Sequence, residues 1–346
     1  MSNTKKIGMQ SIRFSNPPVI EGWASVAGKK ESQGPLGKYF DVASDTDMFS
    51  AKNWEEAESK MQMSAVRAAI SKAGIKKEDV DYIVAGDLLG QLMATSFGIK
   101  SLDIPLFGVY GACSTMGESS ALASMLIDGG YAKRCIALTS SHFATAEKQF
   151  RFPLGYGSQR PLCATTTVTG SGALVLCSQK TLKEEKTDYV HITGITTGKI
   201  VDFGIKDSNN MGAAMAPAAY DLIKVHAKDF ETDFNDYDKV ITGDLGVIGR
   251  DILLDMLRAE NIDIADKYMD CGIEIYDSGT QDSHSGGSGC GCSAITLCGL
   301  IMHNLINGIW KKVLFVPTGA LMSSVSFHEG NTVPGIAHGI ILQSGR

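Results

Sequence analysis

The chain contains an internal repeat, and this repeat restricts the possible folds more than any other feature of the sequence. Residues 81–88 read DYIVAGDL, and residues 238–245 read DKVITGDL. Each segment is a short apolar run that follows acidic residues and ends in Gly-Asp-Leu. A buried parallel strand that leaves its sheet has this pattern. The two segments therefore predict equivalent strands in two halves of the chain.

Two more pairs of segments occur in the same order. The first pair is GACS at residues 111–114 and GCS at residues 291–293, each followed by an apolar helical stretch, basic residues and a predicted strand. When the two segments are aligned without gaps, Cys113 corresponds to Cys292. The second pair, GALVL and GIIL, lies near the end of each half. Matches in one order indicate a duplication, and a duplication decides the architecture.

Helical patterns fill the intervals between the predicted strands. Residues 211–230 and 245–259 are two such intervals, and Asn53 begins a capping-box pattern at the start of another helix. Strands that alternate with helices indicate mostly parallel sheets with right-handed crossovers. We therefore predict an α/β duplicated fold of two βαβαβ-type halves, residues 1–186 and 187–346, packed as alternating helix and sheet layers.

Composition and charge exclude several classes of protein. The 346 residues are 44% apolar, which is enough for a large buried core. The net charge is −6, and the absence of a basic stripe argues against a nucleic-acid partner. The N-terminus has no apolar run of signal-peptide length, and no stretch is long enough to span a bilayer. These features predict an intracellular protein.

The eight cysteines predict reduced thiols rather than disulfides, because they are scattered along a long chain without a signal peptide. Several lie in apolar strand or helix patterns, where cysteine acts as a small hydrophobic residue. Cys290 and Cys292 form a Cys-Gly-Cys pair, but no second pair follows at the spacing of a zinc site. We predict neither a bound metal nor a cofactor.

Several segments resemble the thiolase superfamily, which includes the condensing enzymes of fatty-acid synthesis. VYGACSTMGESSALASMLIDGG resembles their nucleophile segment, a strand followed by a cysteine and a long helix, and HSGGSGCGCSAI resembles their glycine-rich loop. A closer resemblance is to the stage V sporulation protein AD family of spore-forming bacteria. It rests on KESQGPLGKYFD, FGVYGACST, SSHFATAEKQFRFP, TVTGSGALVL, GGSGCGCSA and PTGAL, which are spread over most of the chain.

This resemblance implies a thiolase-like fold without a known condensing activity. It also implies a role in moving dipicolinic acid into the developing spore, with the protein binding that compound or its calcium chelate. By the same resemblance we expect a homodimer that works with other proteins of the spore dipicolinate-uptake system. Its expected place is peripheral, at the inner membrane of the forespore or spore.

Cys113 is the first candidate for a ligand-binding residue. It follows two small residues and precedes a predicted helix, so the positive end of the helix dipole would favour a thiolate or a bound anion. The resemblance favours a cysteine that lines a site, and the alternative is a buried structural cysteine in a tight turn. Nucleophilic catalysis would also need a base and an oxyanion donor.

Asp244 is the position where the chain departs from the condensing enzymes. The resemblance implies a His or Asn here, facing the cysteine, whereas the sequence has Gly-Asp-Leu. A carboxylate cannot donate a hydrogen bond to a thioester oxygen unless it is protonated, and its charge would raise the pKa of a nearby thiol. We expect Asp244 to border the pocket and also to cap the helix that begins at Leu245. Its repeat mate, Asp87, is expected only to cap a helix.

The glycine-rich loop of the second half supplies further candidates. His284 precedes the loop and would be the base in an enzyme whose nucleophile is Cys113; a solvated loop residue is the competing interpretation. Gly287, Ser288 and Gly289 lead into a helix, and such backbone binds anions such as the planar dianion dipicolinate. Close packing of two helices would demand the same small residues.

Ser141 and His142 end the strand that follows the Cys113 helix, and strand ends are where open α/β sheets bind ligands. His142 is a candidate hydrogen-bond donor to a ligand, whereas a serine at this place would equally suit a helix cap. Arg151 and Arg160 would suit carboxylates, or they form surface ion pairs of little energetic value.

The predicted function is non-catalytic binding of dipicolinic acid during its uptake into the developing spore. We assign the ligand-binding residues as Cys113, Ser141, His142, Asp244, Gly287, Ser288 and Gly289. The alternative is a Cys-dependent acyltransferase or condensing enzyme that uses Cys113 and His284. A third possibility is a scaffold with a vestigial pocket.

Overall fold

The structure, a computed structural model, describes residues 5–150, 160–182 and 189–345. The strands in these ranges are β1 (Lys6–Ile7), β2 (Ser11–Arg13), β3 (Val19–Ala27), β4 (Val42–Ala43), β5 (Tyr82–Asp87), β6 (Leu106–Gly108), β7 (Arg134–Ser141), β8 (Thr166–Thr167), β9 (Gly170–Cys177), β10 (Val190–Thr197), β11 (Lys239–Thr242), β12 (Tyr268–Asp270), β13 (Gly287–Ser288), β14 (Lys312–Val316), β15 (Thr318–Ala320) and β16 (Gly335–Ser344). The α-helices are α1 (Lys29–Ser32), α2 (Trp54–Ala73), α3 (Met93–Ile99), α4 (Thr115–Asp128), α5 (Phe143–Phe150), α6 (Met211–Phe230), α7 (Gly246–Ala259), α8 (Cys271–Glu274), α9 (Cys290–Thr296), α10 (Met302–Ile306) and α11 (Ser324–His328). A π-helical segment, Leu297–Ile301, connects α9 to α10.

Each half forms a sheet with the same order of five strands. In the first half the order is β3-β9-β7-β5-β6, and in the second half it is β10-β16-β14-β11-β12. Numbered along the chain within each set of five, both orders are first, fifth, fourth, second, third. The duplication predicted from the repeated segments is therefore confirmed, and the fold is the predicted thiolase-like α/β arrangement.

The sheets are mixed, so the expectation of mostly parallel sheets is wrong. β5 runs parallel to β6 and β7, but β9 runs antiparallel to β7 and β3. The second half repeats this, because β11 runs parallel to β12 and β14 whereas β16 runs antiparallel to β14 and β10. In the first half the chain turns back at one end of the sheet, where Ser141 pairs with Gly170. A return at the same end reverses the strand direction, and no crossover is needed.

The two sheets meet edge to edge and are otherwise separated by helices. β3 and β10 pair antiparallel, with Val190 opposite Ile20 and His191 opposite Val19. Helix α4 contacts β5 and β7 on one side and β16 on the other, and α9 contacts β3, β7 and β9. Helices α2 and α3 cover the outer face of the first sheet, and α6, with α7 beside it, covers the outer face of the second. Helix and sheet layers therefore alternate.

Glycines allow the central helices to lie close to the sheets. A Cβ atom on Gly172 of β9 would lie 2.6 Å from the carbonyl oxygen of Ala294 in α9. A Cβ atom on Gly117 of α4 would lie 2.4 Å from the carbonyl oxygen of His338 in β16. Both distances are too short for a non-bonded contact, so larger residues would push these layers apart.

Helix α2 begins as the sequence predicts, and a glycine ends it. The side chain of Asn53 accepts a hydrogen bond from the N–H of Glu56 at 2.8 Å, and Glu56 Oε2 accepts one from the N–H of Lys52 at 2.9 Å. Gly74 ends the helix with a left-handed φ of 67°. Side-chain acceptors for the first N–H groups and a glycine after the last turn are the usual end signals of a helix.

Two of the sequence predictions fall outside the described residues. They are the boundary between the halves at residues 186 and 187, and Arg151. Within the described ranges, no helix is long and apolar enough to cross a membrane.

Candidate functional site

Cys113 lies in a tight turn between β6 and α4. The residue before it, Ala112, has a φ of 49°, a left-handed conformation that is uncommon for a residue other than glycine. The backbone of Gly319 covers this turn so closely that a Cβ atom on it would lie 2.1 Å from the carbonyl oxygen of Gly111. The Cys113 side chain is consequently buried, with 5% of its surface exposed.

Asp244 follows β11 and is completely buried. Its Oδ2 atom accepts a hydrogen bond from the N–H of Gly289 at 2.8 Å. Its Oδ1 atom has no hydrogen-bond partner among the residues that the structure describes. Burial raises the pKa of Asp244 to about 8, so this side chain is a neutral carboxylic acid at neutral pH.

The Cys113 thiol and the Asp244 carboxyl lie side by side. Burial raises the pKa of Cys113 well above its usual value, and the Asp244 and Cys290 side chains raise it further. The thiol and the carboxyl influence one another's pKa, although no hydrogen bond of ordinary geometry joins the described Asp244 Oδ1 atom to any donor. A thiol held protonated in this way is a weak nucleophile.

Asp270, and not Asp244, caps the helix after β11, so the expected capping role of Asp244 is wrong. Asp270 ends β12, and its carboxylate accepts hydrogen bonds from the N–H groups of Leu245 at 2.9 Å and Gly246 at 3.1 Å. It also accepts one from Thr242 Oγ1 at 2.6 Å. Asp270 was not identified from the sequence, because the capped residue Leu245 lies 25 residues earlier in the chain.

The glycine-rich loop uses its backbone N–H groups within the protein. Gly289 donates to Asp244, and Gly291 donates to Ser141 Oγ at 3.0 Å. Gly287 and Ser288 form β13, which pairs with β8. A Cβ atom on Gly289 would lie 2.7 Å from Ser141 Oγ, so glycine is required here for close packing as well as for its φ of 95°.

Both ring nitrogens of His142 bond to the backbone, and among the described residues neither bonds to Cys113. The Nε2 atom of His142 is 2.7 Å from the carbonyl oxygen of Asp47, and its Nδ1 atom accepts a hydrogen bond from the N–H of Ala144 at 3.1 Å. Burial lowers the pKa of His142, so the ring is neutral and donates through Nε2. The ring borders a cavity that Thr166 and Thr167 of β8 also line.

His284 would be the base if the protein were an enzyme. Its ring nitrogens instead contact Pro161 and Asp282. Its Nδ1 atom is 2.9 Å from the carbonyl oxygen of Pro161, and its Nε2 atom is 3.0 Å from Asp282 Oδ1. No hydrogen bond connects His284 to Cys113 within the described ranges. The nucleophile and base of that alternative are therefore not paired here.

A buried carboxyl network beside the site was missed by the sequence analysis. Burial, and to a smaller extent Asp87, raises the pKa of Glu58 to about 8. Ser140 Oγ donates to Glu58 Oε1 at 2.8 Å and accepts from Gln62 Nε2 at the same distance. Cys290 Sγ in turn lies 2.9 Å from the Ser140 carbonyl oxygen. The sequence pattern that could have indicated this network is the pair Glu58 and Gln62, which are four residues apart and therefore lie on one face of α2.

No group of three or more His, Cys, Asp or Glu side chains within the described residues is arranged to hold a metal ion. The thiols of Cys113 and Cys290 are buried, and their pKa values are raised by burial. The site therefore combines a neutral carboxyl, a buried thiol and closely packed backbone.

Residues 8–343 match the model of the stage V sporulation protein AD family. The chain belongs to this family. Over 339 residues it is 43% identical to stage V sporulation protein AD of Bacillus subtilis, and the match covers 98% of both chains. The family assignment made from the sequence motifs is confirmed, and the chain is a sporulation protein.

Several solved structures share the fold of this family member. The 3-oxoacyl-[acyl-carrier-protein] synthase III of Aquifex aeolicus has a TM-score of 0.56 at 14% identity, covering 94% of this chain and 99% of that one. Cerulenin-bound OleA of Xanthomonas campestris gives 0.57 at 12% identity, with 96% and 97% covered. Acetyl-CoA acetyltransferase of Syntrophomonas wolfei gives 0.58 at 13% identity, with 95% and 99% covered. At such low identity the likeness establishes the fold alone.

Proposed function

We propose that this sporulation protein binds dipicolinic acid, or its calcium chelate, without chemical turnover during dipicolinate uptake into the developing spore. The observation that carries the proposal is the Asp244 carboxyl, which is buried, neutral and has an unpartnered oxygen beside the Cys113 thiol. Family membership supplies the sporulation context.

A neutral carboxyl suits a carboxylate ligand better than an ionised one. Two carboxylates in one buried site repel each other, whereas a protonated Asp244 can donate a hydrogen bond to a ligand carboxylate. The bond would be charge-assisted and therefore stronger than a neutral one. Cys113 contributes a thiol and a close wall to the same side of the ligand. In this proposal Ser141, Gly287, Ser288 and Gly289 shape the wall and His142 positions the neighbouring strand end.

Calorimetry with dipicolinic acid and with its calcium chelate tests the proposal. We expect one of them to bind the wild-type chain, and we expect Asp244→Ala to weaken that binding about tenfold or more, the usual cost of losing a hydrogen bond to a charged group. Asp266→Ala, which removes an exposed aspartate from the same half, is the matched control. Absence of binding by both compounds would contradict the proposal.

A Cys-dependent acyltransferase is the second candidate, and the condensing-enzyme fold is the observation that favours it. It requires a base for Cys113, whose pKa is raised rather than lowered. Intact-protein mass spectrometry after incubation with acyl-CoA separates the two candidates. An acyl adduct that disappears in Cys113→Ala would establish the enzyme and displace the binding protein.

We also propose that the chain forms a homodimer through β6. This strand ends the first sheet, and its free edge pairs with no strand of the described residues. Leu106 and Phe107 on it are 41% and 50% exposed. An unpaired apolar edge of this kind is suited to antiparallel pairing with a second copy. Light scattering should report a dimer that Phe107→Lys converts to a monomer.

Association with the inner membrane of the forespore is proposed to occur through other proteins of the uptake system. No helix of the described residues is long and apolar enough to cross a membrane. Fractionation of sporulating cells should recover the protein with membranes only when those partners are produced. Recovery with membranes in their absence would contradict this route.

A further inference from the structure

Glu58 is a fully buried carboxyl that joins three elements of the first half. It belongs to α2, and its Oε1 atom accepts a hydrogen bond at 2.8 Å from Ser140 Oγ at the end of β7. Its Oε2 atom lies 3.1 Å from Thr145 Oγ1 in α5. We call the contact between Glu58 and Thr145 the Glu58 latch. The function proposed above does not use it.

The hydrogen bonds around Thr145 fit a protonated Glu58. The Thr145 hydroxyl has one hydrogen and lies 2.9 Å from the carbonyl oxygen of His142, which can only accept. If the hydroxyl donates to this carbonyl, the contact with Glu58 Oε2 takes its hydrogen from the glutamate. A neutral Glu58 then accepts from Ser140 and donates to Thr145, so both of its oxygens are satisfied.

The surroundings of Glu58 oppose its ionisation. Burial is the largest cause that raises its pKa, to about 8, and the carboxyls of Asp87 after β5 and Glu55 on α2 raise it further. The hydrogen bonds with Ser140 and Thr145 offset this only in part. The other titratable groups on the elements packed against it are Cys290 of α9, the neutral His142, and Glu147 and the exposed Lys148 of α5. An ionised Glu58 therefore needs water, which its buried position excludes.

Helix α5 covers the site proposed above. Ala146 and Phe150 of α5 pack in one apolar cluster with Cys113, and Ala146 is only 3% exposed. Near the other end of α5 from the latch, the N–H of Gly90 donates to Gln149 Oε1 at 3.4 Å, which is long for a hydrogen bond. The latch thus holds the start of the helix that covers the thiol.

Solvent comes close to Glu58 at the start of α5. A cavity there is lined by Trp54, one helical turn before Glu58, and by His142 and Phe143. Helix α2 has 20 residues, and its buried face packs on the first sheet, whereas α5 has eight residues. Of the two helices that form the latch, α5 is therefore the one that can move to admit water.

We propose that the Glu58 latch controls access to the proposed site: a protonated Glu58 holds α5 closed over Cys113 and Asp244, and an ionised Glu58 releases it. The inference rests on the proposed function only in taking Cys113 and Asp244 as the site that opens. The proton passes to solvent when the latch is released. Glu58 acts through Thr145 and is therefore a positioning residue.

The direction of the pH dependence follows from the two environments of Glu58. In the open arrangement the carboxyl is hydrated and has the ordinary glutamate pKa of about 4.3, whereas in the closed arrangement its pKa is about 8. The open arrangement therefore loses the proton first. The ratio of open to closed chains should rise by up to about tenfold per pH unit between about pH 5 and pH 8, and should be constant above that range.

Hydrogen–deuterium exchange of the full chain, without any ligand, tests the latch. Exchange of the α5 amides, relative to their intrinsic rates, should rise in the wild type between about pH 5 and pH 8. Glu58→Gln keeps one acceptor and one donor but does not ionise, so the same amides should show no such rise. Glu55→Gln removes an exposed acid from the preceding turn of α2 and is the matched control, which should follow the wild type.

Two further measurements separate the latch from the cover. Thr145→Val removes the latch hydroxyl but retains the shape of the side chain, so α5 amides should exchange about tenfold faster than in the wild type at about pH 6. Alkylation of Cys113 by iodoacetamide at about pH 8 should be about tenfold or more faster in the wild type than in Glu58→Gln, with the half-exposed Cys163 as the internal reference.

Several outcomes would overturn the proposal. Parallel pH dependences of α5 exchange in the wild type and in Glu58→Gln are one, and a flat profile in Glu55→Gln is another, since a general charge effect would then suffice. If Glu58→Gln does not fold, wild-type exchange of α5 in Thr145→Val would contradict the latch. Equal alkylation of Cys113 in the wild type and Glu58→Gln would mean that α5 does not control access. Because no ligand is added, failure of the latch and failure of dipicolinate binding are separate results.

Discussion

Asp87 and Asp244 occupy equivalent places in the two halves but have different surroundings. Both side chains are buried. Asp87 accepts hydrogen bonds from the N–H of Leu89 at 2.9 Å and from the N–H and hydroxyl of Thr95 at 2.7 and 2.5 Å. Asp244 accepts one from Gly289, and its Oδ1 atom meets no donor in the described part of the chain.

The different surroundings of Asp87 and Asp244 are explained by the neighbouring strands, β6 and β12. In the second half, Asp270 pairs with Thr242 across β11 and β12 and takes the capping donors of α7. At the equivalent position of the first half, Ala85 of β5 pairs with Gly108 of β6, which has no side chain. In the first half, Asp87 is therefore the carboxyl that accepts hydrogen bonds from the backbone N–H groups that follow β5. In the second half, Asp270 accepts the corresponding hydrogen bonds after β11, so Asp244 does not. A polar atom left unsatisfied by the fold is a candidate for ligand binding.

The largest expected effect that tests the difference between Asp87 and Asp244 is the pH dependence of the free energy of unfolding. The pKa of Asp244 is about 8 in the folded chain, whereas an unfolded aspartate titrates near about 4. The stabilising contribution is therefore complete below about pH 4 and is lost as the pH rises to about 8. Because Asp244→Asn stays neutral, the free energy of unfolding of the wild type should fall relative to the variant by up to about 1.4 kcal/mol per pH unit.

Chemical denaturation of both proteins at several pH values between about 5 and 8 measures this difference. The other buried acids whose pKa values are raised, including Glu58 and Asp270, are present in both proteins and cancel to first order. Asp266→Asn, at an exposed position, should give a curve parallel to the wild type. Parallel curves for Asp244→Asn would mean that Asp244 is ionised in the folded chain.

Asp87→Asn is expected to have the next largest effect, a loss of about 2–3 kcal/mol in the free energy of unfolding at neutral pH. An amide has one acceptor oxygen, so whichever way it is turned, its NH₂ group faces the donors of Leu89 or Thr95. Asp244→Asn should show no such loss, because its oxygen can still accept from Gly289. Equal losses in the two variants would remove the distinction between the two positions.

Much of the fold could be predicted from the sequence because the repeated segments lie at strands that the duplication fixes twice. The direction of β9 and β16 could not, since it depends on the end of the sheet at which the chain returns after β7 and after β14. That end is set by packing between distant residues, which local patterns do not record.

The site was predictable to the extent that it depends on turns. The Cys113 turn and the departure at Asp244 are both visible as local motifs. The role of Asp270 could not be predicted, because the N–H groups that it binds follow a different strand, β11. The burial of Glu58 could not be predicted either. Two polar residues on one face of a helix usually indicate a solvent-exposed face, and only the structure shows that the end of β7 packs against them.

The smallest predicted effect concerns the thiol beside Asp244. Above about pH 8 the Asp244 carboxyl ionises, and its charge then opposes formation of the Cys113 thiolate. Asp244→Asn should therefore raise the rate of Cys113 alkylation by iodoacetamide about threefold to tenfold at that pH, as peptide mass spectrometry would measure. Burial remains the larger cause of the raised pKa, so Cys113 should still react more slowly than the half-exposed Cys163, whose rate serves as the control. If Cys113 reacts first in the wild type, the thiol is activated, and Asp244 would then have to assist a nucleophile rather than hold a ligand.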